Sequence, residues 1–301
     1  MAILIDEHTE AIIQGITGQA GRRTAHVMKA YGTRVRGGVT PGKGGQEVEG
    51  LPVFDTVAEA KAAFPRLSAS VVAVPRRLAK GAVFEAIEAG IRILTLPTER
   101  VPRHDMLEII EFSRMHGSLV LGGNSGGAIS PGKCTLGGIG GRVEFTRLAF
   151  RPGPCGVMSR SGGQLTTVCY YLSRAGVGVS TGVAVGGDAF VGTTWCDLMG
   201  RFEADPETRL VVAFGEIGTT TEEDAARMIQ EKRFTKPLIV YVAGRYARPD
   251  VRFGHAGAII TRGTGDAATK QRLLREAGAV VVEHLADIGQ MAREALAGLG
   301  A

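Results

Sequence analysis

His255 is the residue whose surroundings point most directly to chemistry. The segment Gly254-His255-Ala256-Gly257 sets an imidazole between glycines at the start of a short apolar run. Because glycine carries no side chain, a group as bulky as a phosphoryl can approach the ring, and the glycine-rich residues 261–265 leave the loop uncovered. The pattern predicts a reachable, nucleophilic histidine. The alternative interpretation is a loop histidine that only hydrogen-bonds to its neighbours.

Three further segments are predicted to lie beside this histidine. Ser159-Arg160-Ser161-Gly162 follows a strand-like run and opens a helix-like one, so its hydroxyls and free amides favour an anion. Gly186-Gly187-Asp188 and Gly215-Glu216-Ile217-Gly218 also follow apolar runs, which places them at the carboxyl edge of a sheet. Glu216 is expected to hold the ring nitrogen of His255 that does not react. Alternatively, Glu216 is a carboxylate at a helix N-terminus.

A second candidate site begins after the first strand. Residues 15–21 read Gly-Ile-Thr-Gly-Gln-Ala-Gly, where a strand turns into a helix and a nucleotide phosphate can rest on helix N-terminal amides. The spacing differs from the usual dinucleotide fingerprint, so a purely structural turn is the alternative. An NAD site would also need an acid after the second strand, and that strand runs into Gly37-Gly38-Val39-Thr40. NAD is therefore disfavoured.

Lys43 lies on another glycine-rich loop, Thr40-Pro41-Gly42-Lys43-Gly44-Gly45. With Gly37 it superficially fits the ATP-binding pattern Gly-x-x-x-x-Gly-Lys, but Gly44 stands where that pattern needs Ser or Thr, and no helix-like run follows. A lysine beside the first glycine loop still suits the phosphates of another adenine nucleotide, such as coenzyme A. A solvated turn lysine is the alternative interpretation.

Strand-like and helix-like runs alternate almost throughout the chain, which predicts an α/β fold with parallel sheets and helices on both faces. The alternation stops between residues 122 and 154, a stretch rich in glycine, proline and serine. We therefore expect two doubly wound domains in tandem. The predicted boundaries are 1–122 for a Rossmann-like domain, 123–153 for a Gly/Pro-rich connection and 154–301 for a flavodoxin-like domain.

Composition narrows the functional class. Aromatic residues make up only 6% of the chain beside 44 glycines, a balance that suits tight turns and close backbone approach to ligands. No apolar run is long enough to span a membrane and no secretory leader is present, so a cytoplasmic location is expected. The four cysteines lack Cys-x-x-Cys spacing, which argues against a metal site. The net charge of +5 is dispersed, which favours a small polyanionic ligand over nucleic acid.

Taken together, these motifs resemble the α subunit of succinyl-CoA synthetase (succinate–CoA ligase). The resemblance covers essentially the whole chain and rests on residues 38–45, 50–54, 159–162, 215–218 and 254–260, which stand in the family's order. It implies a Rossmann-like domain that binds coenzyme A, followed by a flavodoxin-like ligase domain. It also implies that His255 is transiently phosphorylated with Glu216 as its partner, and that the phosphate is bound by Ser159, Ser161 and Gly162.

The resemblance further implies ligands and a partner. The residues implied for coenzyme A are Thr17, Gly18, Gln19, Ala20, Gly21, Lys43, Val74, Leu96, Thr98 and Glu99. The residues expected at the acid substrate are Asn124, Ser125, Gln164 and Thr166. Because the chain shows no ATP-binding motif of its own, ATP or GTP with Mg²⁺ would be bound chiefly by a β subunit with an ATP-grasp-type site, in an αβ or α2β2 assembly.

Two segments depart from the succinate enzymes at the acid pocket. Residues 122–127 read Gly-Gly-Asn-Ser-Gly-Gly where those enzymes have Gly-Pro-Asn-Cys-Pro-Gly, and residues 163–166 read Gly-Gln-Leu-Thr in place of Thr-Leu-Thr-Tyr. Residues 151–163 and 185–188 look more like ATP-citrate lyase. The predicted function is a subunit of an acid–CoA ligase acting on a small carboxylic acid, with a citrate- or malate-type ligase as alternative. The rivals from other classes are a CoA-binding regulatory protein and an NAD-dependent oxidoreductase.

Overall fold

The computed structural model describes residues 3–261 and 265–299. Residues 262–264, part of the glycine-rich stretch predicted to leave the His255 loop uncovered, lie outside the described residues. The described chain forms two α/β units, each built on a seven-stranded sheet. Within the described ranges, no helix has both the length and the apolar character needed to cross a membrane.

The first unit has the strand order of a Rossmann fold. Its elements are β1 (Glu10–Gln14), α1 (Gln19–Tyr31), β2 (Arg34–Val39), β3 (Glu47–Val48), β4 (Leu51–Phe54), α2 (Val57–Ala63), β5 (Leu67–Val72), α3 (Ala79–Glu88), β6 (Ile93–Thr95), α4 (Arg103–Met115) and β7 (Leu119–Leu121). The sheet order is β3-β4-β2-β1-β5-β6-β7, and only the β3–β4 pair is antiparallel. Without the short β3 this is the 3-2-1-4-5-6 order of a dinucleotide fold, which reverses between β1 and β5.

The second unit has a flavodoxin-like order. Its elements are β8 (Gly127–Ser130), β9 (Cys134–Leu136), α5 (Val143–Ala149), β10 (Pro152–Ser159), α6 (Gly162–Arg174), β11 (Val179–Ala184), α7 (Trp195–Ala204), β12 (Leu210–Glu216), α8 (Thr221–Gln230), β13 (Leu238–Ala243), α9 (Ala267–Glu276), β14 (Val280–Val281), a 3₁₀ turn (Leu285–Asp287) and α10 (Ile288–Gly298). The sheet order is β14-β13-β12-β10-β11-β8-β9. Its five parallel strands follow the 2-1-3-4-5 order, which reverses between β10 and β12.

The tandem α/β architecture predicted from the sequence is confirmed, with one correction. Residues 123–153, expected to be a connection in which the alternation stops, contain β8, β9 and α5. β8 pairs antiparallel with β11, and β9 pairs antiparallel with β8, so the second sheet is mixed rather than wholly parallel. These strands are only three and four residues long. So short a run carries little periodic signal, and pairing with β11 decides its structure.

The turn between β1 and α1 depends on glycine for a steric reason. Gly15 has a φ of +79°, in the left-handed region. A Cβ added at Gly21, in the first turn of α1, would lie 2.3 Å from the Gly15 carbonyl oxygen and 2.7 Å from the Ile16 Cα. Helix α1 therefore packs directly on the backbone that leaves β1, which fixes where its N-terminus points.

We expect Gly21→Ala to lower the free energy of unfolding by about 1–3 kcal/mol, the usual cost of overpacking. The same change in an open helix position ordinarily raises stability by up to about 1 kcal/mol. Gly200→Ala in α7 is the matched control, because the nearest atom to its added Cβ is 4.0 Å away. Urea unfolding measures both, and stabilisation by both substitutions would contradict the packing argument.

Candidate active site

His255 lies over the strand-order reversal of the second sheet. Its Nδ1 is 2.7 Å from Oε2 of Glu216, the last residue of β12. An ionised carboxylate only accepts hydrogen bonds, so Nδ1 carries the proton and the Nε2 lone pair is left free. A Cβ added at Gly187 would lie 2.4 Å from the ring, so the imidazole rests against bare backbone. The contact predicted between His255 and Glu216 is present in the structure.

Glu216 is itself held by Arg160, whose side chain is only 1% exposed. The Arg160 Nε donates to Oε1 of Glu216 at 2.9 Å, and Nη2 donates to the Asp188 carbonyl at 3.0 Å. Nη1 donates to the hydroxyls of Thr219 and Thr221 at 3.0 and 3.2 Å. The planar guanidinium thus joins the segments that follow three neighbouring strands. The sequence motif Ser159-Arg160-Ser161-Gly162 did not predict this role for Arg160, although a cation directly after an apolar run was the available signal.

The charges around His255 act on its pKa in opposite directions. The hydrogen bond that His255 donates to Glu216 favours the imidazolium and raises the pKa of His255 above its ordinary value, while burial opposes it. Among the more distant charges, Arg160 lowers the pKa and Asp188 raises it. Burial in turn raises the pKa of the Asp188 carboxyl. The hydrogen bond to Glu216 is the largest of these effects, so the net pKa of His255 is raised.

Two of the three residues predicted to bind the phosphate line the cavity beside His255. Ser161 caps α6, accepting from the Gln164 amide, and Gly162 is the first residue of that helix. Ser159 is fully buried instead, and its hydroxyl donates to the Ser161 carbonyl at 2.7 Å and accepts from the Ser161 amide at 3.0 Å. This placement corrects the expectation for Ser159, because its hydroxyl folds the loop rather than facing the cavity.

The cavity beside His255 has a volume of about 640 Å³. Three of the four residues expected at the acid substrate line it: Asn124, Ser125 and Thr166. The fourth, Gln164, does not line the cavity, so its contact with the acid stays a prediction. The Ser125 hydroxyl is already engaged, since it donates to the Ala184 carbonyl at 2.5 Å. The cavity is also lined by residues that the sequence motifs did not include: Gly138, Ile139, Gly140, Gly141, Phe145 and Tyr170.

A second cavity, of about 470 Å³, opens at the strand-order reversal of the first sheet. Thr17, Gly18 and Val74, all implied for coenzyme A, line it together with residues of the loop after β2 and of α3. Its lining is mostly apolar, and α1 begins beside it at the N-cap residue Gly18, which has no capping side chain. An apolar cavity beside uncapped helix amides suits a ligand with both an apolar body and phosphates.

The other residues implied for coenzyme A lie around this cavity without lining it. Gln19 and Ala20 are exposed at the start of α1, and Lys43 and Glu99 are exposed on loops. Thr98 donates through its hydroxyl to the Val74 carbonyl at 2.8 Å. Gly21 and Leu96 are buried: Gly21 packs α1 on the strand, and Leu96 belongs to a hydrophobic cluster, so a contact of either with coenzyme A stays a prediction. Within the described ranges, no group of three or more His, Cys, Asp or Glu residues is arranged to hold a metal ion.

We expect Glu216→Gln to lower the pKa of His255, because the amide lacks the negative charge that favours the imidazolium. The folded-state pKa of His255 is raised, so its contribution to stability is complete below the unfolded pKa of about 6.5 and disappears as the pH rises through the folded pKa. Glu216→Gln should therefore reduce the fall in unfolding free energy between about pH 5 and about pH 8.

NMR titration of the imidazole measures the pKa of His255, and urea unfolding across this pH range measures the unfolding free energy. Glu49→Gln is the control, because Glu49 lies 3.4 Å from the exposed His26 in an ion pair of the same type. An unchanged His255 titration in Glu216→Gln would contradict the assigned cause.

The chain is similar to known CoA ligases over nearly its whole length. Residues 6–99 match the CoA binding domain family, and residues 158–280 match the CoA-ligase family. The α subunit 1 of the ADP-forming succinate–CoA ligase of Archaeoglobus fulgidus is 46% identical over 296 residues, which are 98% of this chain and 99% of that protein. The α subunit of malate–CoA ligase from Methylorubrum extorquens is 40% identical over 302 residues, 99% of both chains.

Among solved structures, ATP citrate lyase from Methanosaeta concilii in complex with (3S)-citryl-CoA matches with a TM-score of 0.91 and 28% identity. The match covers 98% of this chain but spans only about half, 51%, of that longer one. The resemblance noted in the sequence is thereby confirmed. The chain belongs to the family of succinate–CoA ligase α subunits, acid–CoA ligases in which a coenzyme A-binding domain is followed by a CoA-ligase domain.

Proposed function

We propose that this chain is the α subunit of a nucleoside-triphosphate-dependent carboxylic acid–CoA ligase in which His255 carries a phosphoryl group from the nucleotide to the acid. The observation that carries the proposal is the 2.7 Å contact of Nδ1 with Glu216, which leaves Nε2 as the nucleophile on a ring that lines the 640 Å³ cavity. A merely structural loop histidine would have no need of a buried carboxylate and a buried arginine behind it.

The proposed reaction is a sequence of transfers through His255. The Nε2 lone pair of the neutral ring forms a P–N bond with the γ-phosphorus while the bridging P–O bond breaks, and the nucleoside diphosphate leaves. Glu216 keeps Nδ1 protonated and compensates the positive charge of the phosphorylated ring. A carboxylate oxygen of the acid then forms the new P–O bond as the P–N bond breaks. Coenzyme A, when bound, supplies the thiolate that displaces inorganic phosphate from the acyl phosphate.

The N-terminus of α6 is proposed to hold the transferring phosphoryl group. Ser161, Gly162 and Gly163 line the cavity at the start of this 13-residue helix, where backbone amides and the helix dipole favour negative charge. A Cβ added at Gly162 would lie 3.2 Å from the Gly126 Cα, so two backbones form this part of the wall. Any side chain here would narrow the space available to a phosphoryl group.

A partner subunit is proposed to complete the site. Among the described residues that line the cavity, none is an arginine, lysine, aspartate or glutamate, so the described lining provides no charged side chain other than His255 to balance the acid and the nucleotide. A β subunit with an ATP-grasp-type site would bring the nucleotide, ATP or GTP, with Mg²⁺. The αβ or α2β2 assembly and the cytoplasmic location stay predictions.

The acid substrate is proposed to be a small dicarboxylic acid of the succinate type, with a malate- or citrate-type acid as second candidate. The polar residues Asn124, Thr166 and Thr167 line the cavity, and they are the observation that favours the second candidate, because malate and citrate carry a hydroxyl group that succinate lacks. A panel of succinate, malate and citrate, assayed for CoA thioester formation with both subunits, separates these candidates. A chain that binds coenzyme A but forms no thioester with any acid would be a regulatory protein.

We expect His255→Asn to remove phosphorylation of the chain while leaving the fold and coenzyme A binding intact, since only the nucleophile is lost. The measurement is acid-labile, base-stable label after incubation with γ-labelled ATP or GTP and Mg²⁺, with and without the β subunit. His284→Asn at an exposed histidine is the matched control and should label like the wild type. Label that persists in His255→Asn, or rapid labelling without the partner, would contradict the proposal.

We expect coenzyme A to stabilise the chain even without its partner, because the proposed cavity lies within the first unit. Binding to the native state alone adds roughly 2.7 kcal/mol at a hundredfold excess over Kd. Lys43→Ala should reduce the thermal shift if this exposed lysine meets the phosphates, whereas Lys133→Ala, between β8 and β9, should not. An equal shift with NAD would favour the oxidoreductase instead.

A further inference from the structure

A buried ion pair lies beside the backbone of Glu216, at the end of β12. Lys270 of α9 and Glu222 of α8 are both 0% exposed and hydrogen-bond to each other. Full burial is rare for either residue type, because taking two charges out of water costs several kcal/mol per ion. An apolar pair of similar volume would often be as stable. The position of this pair therefore calls for a reason other than stability.

Glu222 hydrogen-bonds to the backbone of Glu216, the residue whose carboxylate contacts His255. Its Oε1 accepts a hydrogen bond from the Glu216 amide at 2.9 Å. A Cβ added at Gly215 would lie 2.4 Å from the same oxygen, so the glycine before Glu216 is what lets the carboxylate come so close. Glu222 therefore fixes the end of β12 at the point where the Glu216 side chain leaves the backbone.

Lys270 holds the other end of the same turn. Besides Glu222 it donates to Oε2 of Glu223 at 2.7 Å and to the Thr219 carbonyl at 3.1 Å. Thr219 has a φ of +50°, a conformation that a β-branched residue adopts only when its surroundings enforce it. The Thr219 hydroxyl is bound by Arg160, so two cations hold this residue, one through its backbone and one through its side chain.

We propose that Lys270 and Glu222 are positioning residues for Glu216: they hold the backbone of residues 215–219 and thereby set the approach of the Glu216 carboxylate to His255 Nδ1. The charged groups that act on the His255 ring are Glu216, Arg160 and Asp188. The hydrogen bonds of Lys270 go to Glu222, Glu223 and Thr219, so its influence reaches the ring through Glu216 and through Arg160, which binds both Thr219 and Glu216.

Only the expected change in the rate of His255 phosphorylation rests on the proposed function; the positioning of Glu216 does not. The test compares Lys270→Met and Lys270→Arg, and adds a double variant, Lys270→Met with Glu222→Met, that removes both buried charges and so avoids an unpaired one. Arg272→Met is the matched control, because it removes a cation from the same helix in an exposed pair with Glu276. The readouts are the His255 titration by NMR on the full chain and the rate of His255 phosphorylation with the β subunit.

We expect Lys270→Met and the double variant to lower the pKa of His255 and to slow phosphorylation roughly 10- to 100-fold, the scale on which small misplacement of a catalytic group acts. Lys270→Arg should retain much of the wild-type pKa of His255 and of the wild-type phosphorylation rate. Arg272→Met should change neither quantity. A folded double variant with an unchanged His255 titration would overturn the proposal, whatever its rate. Absence of phosphorylation in the wild type would count against the proposed function alone, because the titration still decides the positioning role.

Discussion

The hydrogen-bonded series from Arg160 through Glu216 to His255 is the interaction on which the rest of the site depends. A guanidinium that is 1% exposed must find acceptors for its donors within the protein. Arg160 finds them on Glu216, on the Asp188 carbonyl and on two threonine hydroxyls. Because these acceptors follow different strands, satisfying one arginine fixes the relative positions of several loops at the carboxyl edge of the sheet.

Glu216 has two opposed effects on His255. It selects the tautomer that leaves Nε2 free, which a nucleophile needs, but it also favours the imidazolium, which is not nucleophilic. Burial and the Arg160 charge lower the pKa and so limit the second effect. The same carboxylate stabilises the ring once it carries a phosphoryl group and a positive charge. The arrangement therefore suits a histidine that is phosphorylated and dephosphorylated in turn.

The two cavities are connected by a short path of hydrogen bonds. The Thr98 hydroxyl donates to the carbonyl of Val74, which lines the cavity of the first unit. The Thr98 carbonyl accepts from the amide of Asn124, which lines the cavity of the second unit. The Arg100 amide donates to the Asp188 carboxylate at 2.9 Å, which ties the same loop to the strand edge beside His255. A ligand that extends from the first unit thus meets a loop already fixed relative to the histidine.

The sequence by itself determined what depends on local spacing: the glycines around His255, the helix that begins after residues 159–162, the turn from residue 15 to 21, and the α/β alternation. The pairing of Glu216 with His255, 39 residues apart, could be predicted because both lie in glycine-flanked motifs at the same edge of the sheet. The pairing of Glu216 with Arg160, 56 residues apart, could not be predicted, because no local pattern marks it. The burial of Ser159, the cavity wall from residues 138–145 and the Lys270–Glu222 pair were likewise decided only by the tertiary structure, because hydrogen bonds and packing between separate elements leave no periodic trace in the chain.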